Sequence, residues 1–225
     1  MTSMLLLLAD GRFPAGAHAH SGGLEAAVAA GLVTDLASLR GFLVGRLATG
    51  GLVAAAFAVA AHRAAAAGDP GPALARLDAE LDARTAAPAL RAVSRRQGRA
   101  LLRAGRALWP GGPFAALPAD PTGPHQPLVL GLVGAAAGLD PAELATAAAY
   151  GSVTGPASAA VRLLGLDPYR VHGLLAALTA DVDATAARAV AAADGPPEWL
   201  PAGSAPLTDI HAEVHTTWEV RLFAS

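Results

Sequence analysis

The chain has 225 residues, 53% of them hydrophobic but only 4% aromatic, with a formal net charge of −2. That length supports a substantial core, and the near-neutral charge gives no global reason to expect nucleic acid or an anionic membrane as a partner. Cysteine is absent, which removes disulfides, thiolate metal sites and cysteine nucleophiles, and lysine is absent too, which removes a conventional P-loop and Schiff-base chemistry. Much of the apolar fraction is alanine, a helix former that lets helices approach closely. The expected class is therefore all-α: a single-domain bundle of roughly eight to ten helices over 1–194, then a Pro/Gly-linked tail over 195–225.

The apolar N-terminus, Met4 to Ala9, is too short for a signal h-region and has no basic residue before it, so a cytoplasmic protein is expected. Between Arg12 and Glu25 the chain gathers Pro14, Gly16, His18, His20, Ser21, Gly22 and Gly23, which predicts a shaped loop rather than a helix. Ser21 is expected to cap a short helix through Ala30, stopped by Gly31. Thr34 or Asp35 then caps a helix in which Leu36, Leu39, Leu43 and Leu47 recur at helical spacing, with a break near Gly50-Gly51. Leu52 to Ala67 has almost no polar face and should be central. The uncharged run Leu47–Ala61 is shorter than a spanning helix, and Leu144–Val161 is interrupted by Gly155-Pro156, so buried helices are expected and no membrane span.

A helix from about Ala73 to Arg84 carries Asp78, Glu80 and Asp82, and a longer one follows from about Pro88 to Leu108. In the second, Leu90, Val93, Ala100, Leu101, Ala104 and Leu108 share one side, and Arg91, Arg95, Arg96, Arg99, Arg103 and Arg106 occupy most of the other. Such a stripe reads first as a solvated face and second as a protein-partner surface; nucleic acid fits less well, because no aromatic residues interleave the arginines. Trp109 to Pro127 is a proline-rich connection in which His125 is expected to serve a turn or cap, without chemistry. Asp140-Pro141-x-Glu143 is a strong helix start, with a break or bend expected at Gly155-Pro156. Asp167-Pro168 opens a long helix lined by Val171, Leu174, Leu178, Val182, Ala186 and Val190. Beyond the Gly/Pro-rich stretch 195–206 the tail either orders against a partner or docks back on its own domain.

His211 and His215 stand four apart and could face one metal ion on a helix, with Glu213 pointing elsewhere, but the order is not the His-Glu-x-x-His motif. His18 and His20 alternate in a glycine-rich loop and could reach an imidazole-friendly ion such as nickel, or serve packing or a dimer contact. Both pairs lack a third ligand. No nucleophile elbow, Ser-His-acid set or acid pair stands out. A metal-dependent hydrolase using His18 and His20, and an arginine-stripe nucleic-acid binder, are the rival functions from other classes.

Pro14-x-Gly16 followed by Ser21-x-Gly23-Leu24-Glu25 resembles the N-terminal signature of the UreF family of urease accessory proteins, which usually has aromatic residues at the places of His18 and His20. The tail retains His215, Thr217, Arg221, Leu222 and Phe223 of a pattern similar to the family's C-terminus, with departures at Thr216 and Glu219. Between them, Asp82-x-Arg84-Thr85, Arg95-x-Gln97-Gly98-Arg99 and His125-x-Pro127-x-Val129-x-Gly131 look like the middle of the family. What the resemblance implies is an all-helical, homodimeric protein, not itself an enzyme and with no cofactor of its own. It would join UreD (also called UreH) and the GTPase UreG on apo-urease, with nickel and GTP handled by the complex. It also implies partner contacts at His215, Thr217, Arg221, Leu222, Phe223, Arg84, Arg95 and Arg99. For an arginine finger toward UreG, the candidates are Arg12, Arg84, Arg95 and Arg99.

Overall fold

The computed structural model describes residues 3–14 and 19–223, and every regular element among them is helical. In chain order these are α1 (Ser3–Ala9), α2 (Leu24–Ala29), α3 (Leu36–Arg46), α4 (Leu52–Ala64), α5 (Gly71–Arg84), α6 (Pro88–Leu108), α7 (Gln126–Ala136), α8 (Pro141–Leu164), α9 (Pro168–Ala177), α10 (Thr179–Ala192) and α11 (Pro206–Thr216). The all-α class follows from the sequence as expected.

α4 is the centre. Its residues Ala55, Ala56, Phe57, Ala58, Val59 and Ala61 have no solvent exposure, and α7, α8 and α10 pack around it. Alanine makes this possible, because a helix with methyl side chains presents a smooth cylinder that several neighbours can approach. α5 and α6 extend this cluster through Leu74, Leu77, Leu81 and Leu101, while α2, α3, α9 and the second half of α8 enclose another around Leu24, Leu39, Leu43 and Val153. Helix Leu36–Ala64, counted through its kink, is long and apolar enough to cross a membrane by length and composition alone. More than half of its apolar window is buried inside the bundle, as in a core helix.

Several starts match local chemistry. Asp35 caps α3 in a reciprocal box with Ser38, and Asp140 does the same for α8 with Glu143. Asp167 accepts from the Tyr169 N–H at the head of α9.

One expected helix break is present, one is not, and a further one divides a helix expected to be continuous. The break expected near Gly50-Gly51 is present as a π-turn, Leu47–Gly51, whose non-helical Thr49 (φ −115°, ψ −106°) kinks the chain between α3 and α4. α8 passes Gly155-Pro156 without interruption. A proline there removes the N–H that the Ser152 carbonyl would accept, and that carbonyl instead accepts from Arg46 Nε at 3.1 Å. The long helix expected after Pro168 divides at Leu178, whose N–H is shared between the Leu174 and Leu175 carbonyls before α10 begins.

Candidate functional site

Two buried polar clusters organise the molecule, and the first joins its ends. α2 begins at Leu24, later than a Ser21 cap would place it, because Gly22 and Gly23 both take left-handed conformations (φ 62° and 88°) that only glycine adopts without strain. Ser21 still serves the helix, its Oγ accepting from the Glu25 N–H at 3.2 Å. The half-buried Arg46 donates to the Gly22 carbonyl and thereby ties this loop to the Ser152 turn of α8.

The turn aims Glu25 inward, where it is only 7% exposed. Its Oε2 receives His215 Nε2 at 2.9 Å and the Phe223 N–H at 3.1 Å, and its Oε1 receives the Leu222 N–H at 2.8 Å. One carboxylate thus satisfies the end of α11 and two tail amides together. Phe223 is buried among α2, α3, α8 and α9, beneath the Arg162 guanidinium at 5.7 Å from its ring centroid. α11 has a second anchor in Glu213, whose Oε1 accepts from the Ala89 N–H at 2.7 Å, a free donor at the head of α6. In the free chain the tail thus rests on its own domain.

That docking leaves an apolar strip facing outward. Leu207, Ile210 and Val214 lie at helical spacing on α11, and Val220 and Leu222 follow; all five are exposed, Val220 by 83%. Trp218 packs on the His215 ring with centroids 4.7 Å apart.

The second cluster corrects two expectations. Arg95 does not lie on a solvated stripe: it is buried between α5, α6 and the 109–125 connection. Its guanidinium forks onto Asp78 (2.9 and 3.3 Å), reaches Asp82 at 3.0 Å and donates to the Gly123 carbonyl at 2.6 Å. Leu108, expected inside, is half exposed. His125, expected to be a turn residue without chemistry, is fully buried and bonds Asp82 Oδ1 through Nε2 at 2.7 Å and Ser94 Oγ through Nδ1 at 3.0 Å. A neutral ring protonated on Nε2 satisfies both contacts, since Ser94 donates to Nδ1 while accepting from the Gln126 N–H. Gly98 lets this assembly close, because a Cβ there would meet the Pro124 carbonyl oxygen at 2.0 Å.

Burial opposes the Arg95 charge, but Asp78 and Asp82 more than restore it, and its pKa is raised. Burial likewise works against the Asp82 carboxylate, yet the His125 and Arg95 hydrogen bonds outweigh it and its pKa is lowered. For His125, burial dominates and pushes the imidazole below its ordinary 6.5, partly offset by the Asp82 bond. A lowered histidine pKa means that the folded chain binds fewer protons than the unfolded one. Its stabilising share is present above 6.5 and falls as pH drops from there toward the folded value. Melting temperature is therefore expected to decline between pH 7 and pH 5, and His125→Gln, measured by circular dichroism, to flatten that slope.

Arg84 is engaged internally as well. It donates to the Pro197, Glu198 and Leu200 carbonyls at 2.9–3.4 Å, pairs with Glu80 and lies 5.5 Å over the Phe57 ring. Arg99 donates to the Thr122 carbonyl, and Arg12 pairs with Asp10 in an exposed turn beside Pro14. Thr217 and Arg221 are exposed at the foot of the tail. Gly16 and His18 lie outside the described residues, while His20 is partly buried within them. Among the described residues no three His, Asp or Glu side chains converge to hold a metal ion.

The model of the UreF family matches residues 33–179, more than half of the chain. This chain belongs to the UreF family of urease accessory proteins. It is 47% identical over 221 residues to the "Urease accessory protein UreF" of Mycobacterium sp. (strain JLS), covering 98% of this chain and 97% of that one. Identity to the protein of the same name from Mycolicibacterium vanbaalenii is 46% over 224 residues, again 98% and 97% of the two chains. With the Mycobacterium marinum protein it is 47% over 223 residues, 99% and 98%. In this UreF-family chain the N-terminal signature and the C-terminal pattern, far apart in sequence, meet at Glu25. Both motifs are plain in the sequence but their junction is not, and the only local signal at His125 is a histidine flanked by Pro124 and Pro127.

Proposed function

We propose that this chain is a scaffold of urease maturation, joining UreD (UreH) and the GTPase UreG on apo-urease, with nickel as the cargo of the complex and GTP turned over by UreG. It acts in the cytoplasm, as a homodimer, by holding partners rather than by catalysis. Family membership supplies the setting. The observation that carries the scaffold reading is the outward apolar strip of α11 and the tail, Leu207, Ile210, Val214, Val220 and Leu222, on a segment held to the body by Glu25 and Glu213. Exposed aliphatic residues at i, i+3 and i+7 are the anchors with which a helix enters a partner's groove. We assign this strip to UreD, with Thr217 and Arg221 at its rim, and a separate surface to UreG. Arg84 and Arg95 then act from inside, by shaping the body that partners meet, and Arg12 and Arg99 are the finger candidates nearer solvent.

The variant Ile210→Glu/Val214→Glu places two charges on the strip without touching the core. Its melting temperature is expected to stay within a few degrees of the parent, because exposed substitutions typically shift stability by no more than about 0.5 kcal/mol each. Co-purified UreD is expected to fall at least roughly tenfold, the scale of losing one interface anchor. Undiminished UreD on the folded variant, or a folded parent chain that retains neither partner, would sink the assignment.

A further inference from the structure

Between the outer face of α6 and the proline-rich connection runs a groove of about 690 Å³ that the scaffold reading touches only at Arg99. Arg99, Arg103 and Arg106 form one wall, at i, i+4 and i+7 on a single helix face; Leu102 and Leu117 give it an apolar floor, and Pro121 stands opposite. Arg103 and Arg106 are exposed and have no carboxylate partner among the described residues.

The one carboxylate that lines the groove does not neutralise them. Asp120 Oδ1 accepts the Thr122 N–H and hydroxyl at 2.6 and 2.5 Å, and its Oδ2 faces the buried Arg95 at 3.9 Å. The opposite wall is also fixed in place, through the Gly123 carbonyl on Arg95, the Thr122 carbonyl on Arg99 and His125 on Asp82. A groove held open in this way has little ordering entropy left to lose on binding. On a chain of net charge −2 it is a local basic surface whose apolar floor a free ion would not need.

We infer that this groove docks an extended acidic segment of a partner protein, its carboxylates paired with Arg103 and Arg106 and an apolar side chain seated on Leu102 and Leu117. Planar guanidinium groups pair with carboxylates through two parallel hydrogen bonds, which gives register as well as charge. Charge complementarity alone would also admit a nucleic acid strand. The groove favours protein because it offers no stacking platform: Phe114, its one aromatic residue, is 3% exposed.

The test is fluorescence anisotropy on the full chain at low salt, with a labelled peptide of glutamate and leucine residues separated by serines. Arg103→Ala/Arg106→Ala is expected to weaken binding by roughly tenfold or more, about 1.4 kcal/mol or above. Arg40→Ala/Arg188→Ala, which removes the same charge from exposed positions elsewhere, is expected to leave it unchanged. Replacing glutamate by glutamine, or leucine by serine, in the peptide should each weaken it. The inference is overturned if the folded parent does not bind the peptide or if both double variants lose binding equally. A single-stranded oligonucleotide that binds more tightly and depends on the same two arginines overturns it as well, in favour of nucleic acid.

Discussion

Glu25→Ala is expected to release the tail and lower the melting temperature of the full chain. The substitution leaves His215 and the Leu222 and Phe223 amides without their shared acceptor. Removing one member of a buried polar or ionic set costs about 3–5 kcal/mol. We take the lower end, about 3 kcal/mol, since the freed amides can reach water once the tail lifts, and for a chain of this size that is roughly 6–12 °C in melting temperature. Hydrogen exchange should localise the effect: the Leu222 and Phe223 amides lose protection while those of α4 and α7 exchange as before. Trypsin should also cut after Arg221, which is exposed, faster than in the parent. An unchanged melting temperature together with retained protection at 222 and 223 would mean that Phe223 packing alone holds the tail. Glu25→Gln is a sharper probe, because it keeps the size and one acceptor but loses the charge that all three contacts use.

Arg95→Ala should be at least as damaging, through a different route. The deletion strands Asp78, which is 8% exposed, beside Asp82 and leaves the Gly123 carbonyl without its donor. The loss is expected at about 3–5 kcal/mol, or roughly 6–20 °C in melting temperature. Arg95→Lys retains the charge but has no planar fork to span Asp78, Asp82 and Gly123 together, so an intermediate loss is expected. Asp78→Asn added to Arg95→Ala should recover part of the stability, because it removes the stranded charge. Thermal unfolding of the single and double variants checks both points, and strictly additive effects would contradict the coupling of this cluster.

These two clusters mark where the sequence was legible and where it was not. The bounds of α6, the Asp35 and Asp140 caps and the centrality of α4 depend on neighbours within a few residues, and local chemistry and periodicity suffice for them. The passage of α8 through Pro156 depends on Arg46, 106 positions from Ser152, which takes the carbonyl that the proline leaves free. Likewise His125 reads as a turn residue until Ser94 and Asp82, 31 and 43 positions away, come against its two nitrogens. Arg95 illustrates the limit of amphipathic patterning. A helix face marked by arginines reads as solvated, yet the acids of α5 and the folded-back 109–125 connection cover its inner edge and leave only part of the stripe outside. The Glu25 junction spans 190 positions and could not be read from either motif, though both motifs are plain.

Hydrogen exchange of the full chain with and without UreD tests the scaffold role most directly. New protection is expected across residues 206–223, on α11 and the tail, with the α4 and α7 amides unchanged. UreD binding that protects some other surface and leaves 206–223 as in the free chain would contradict it.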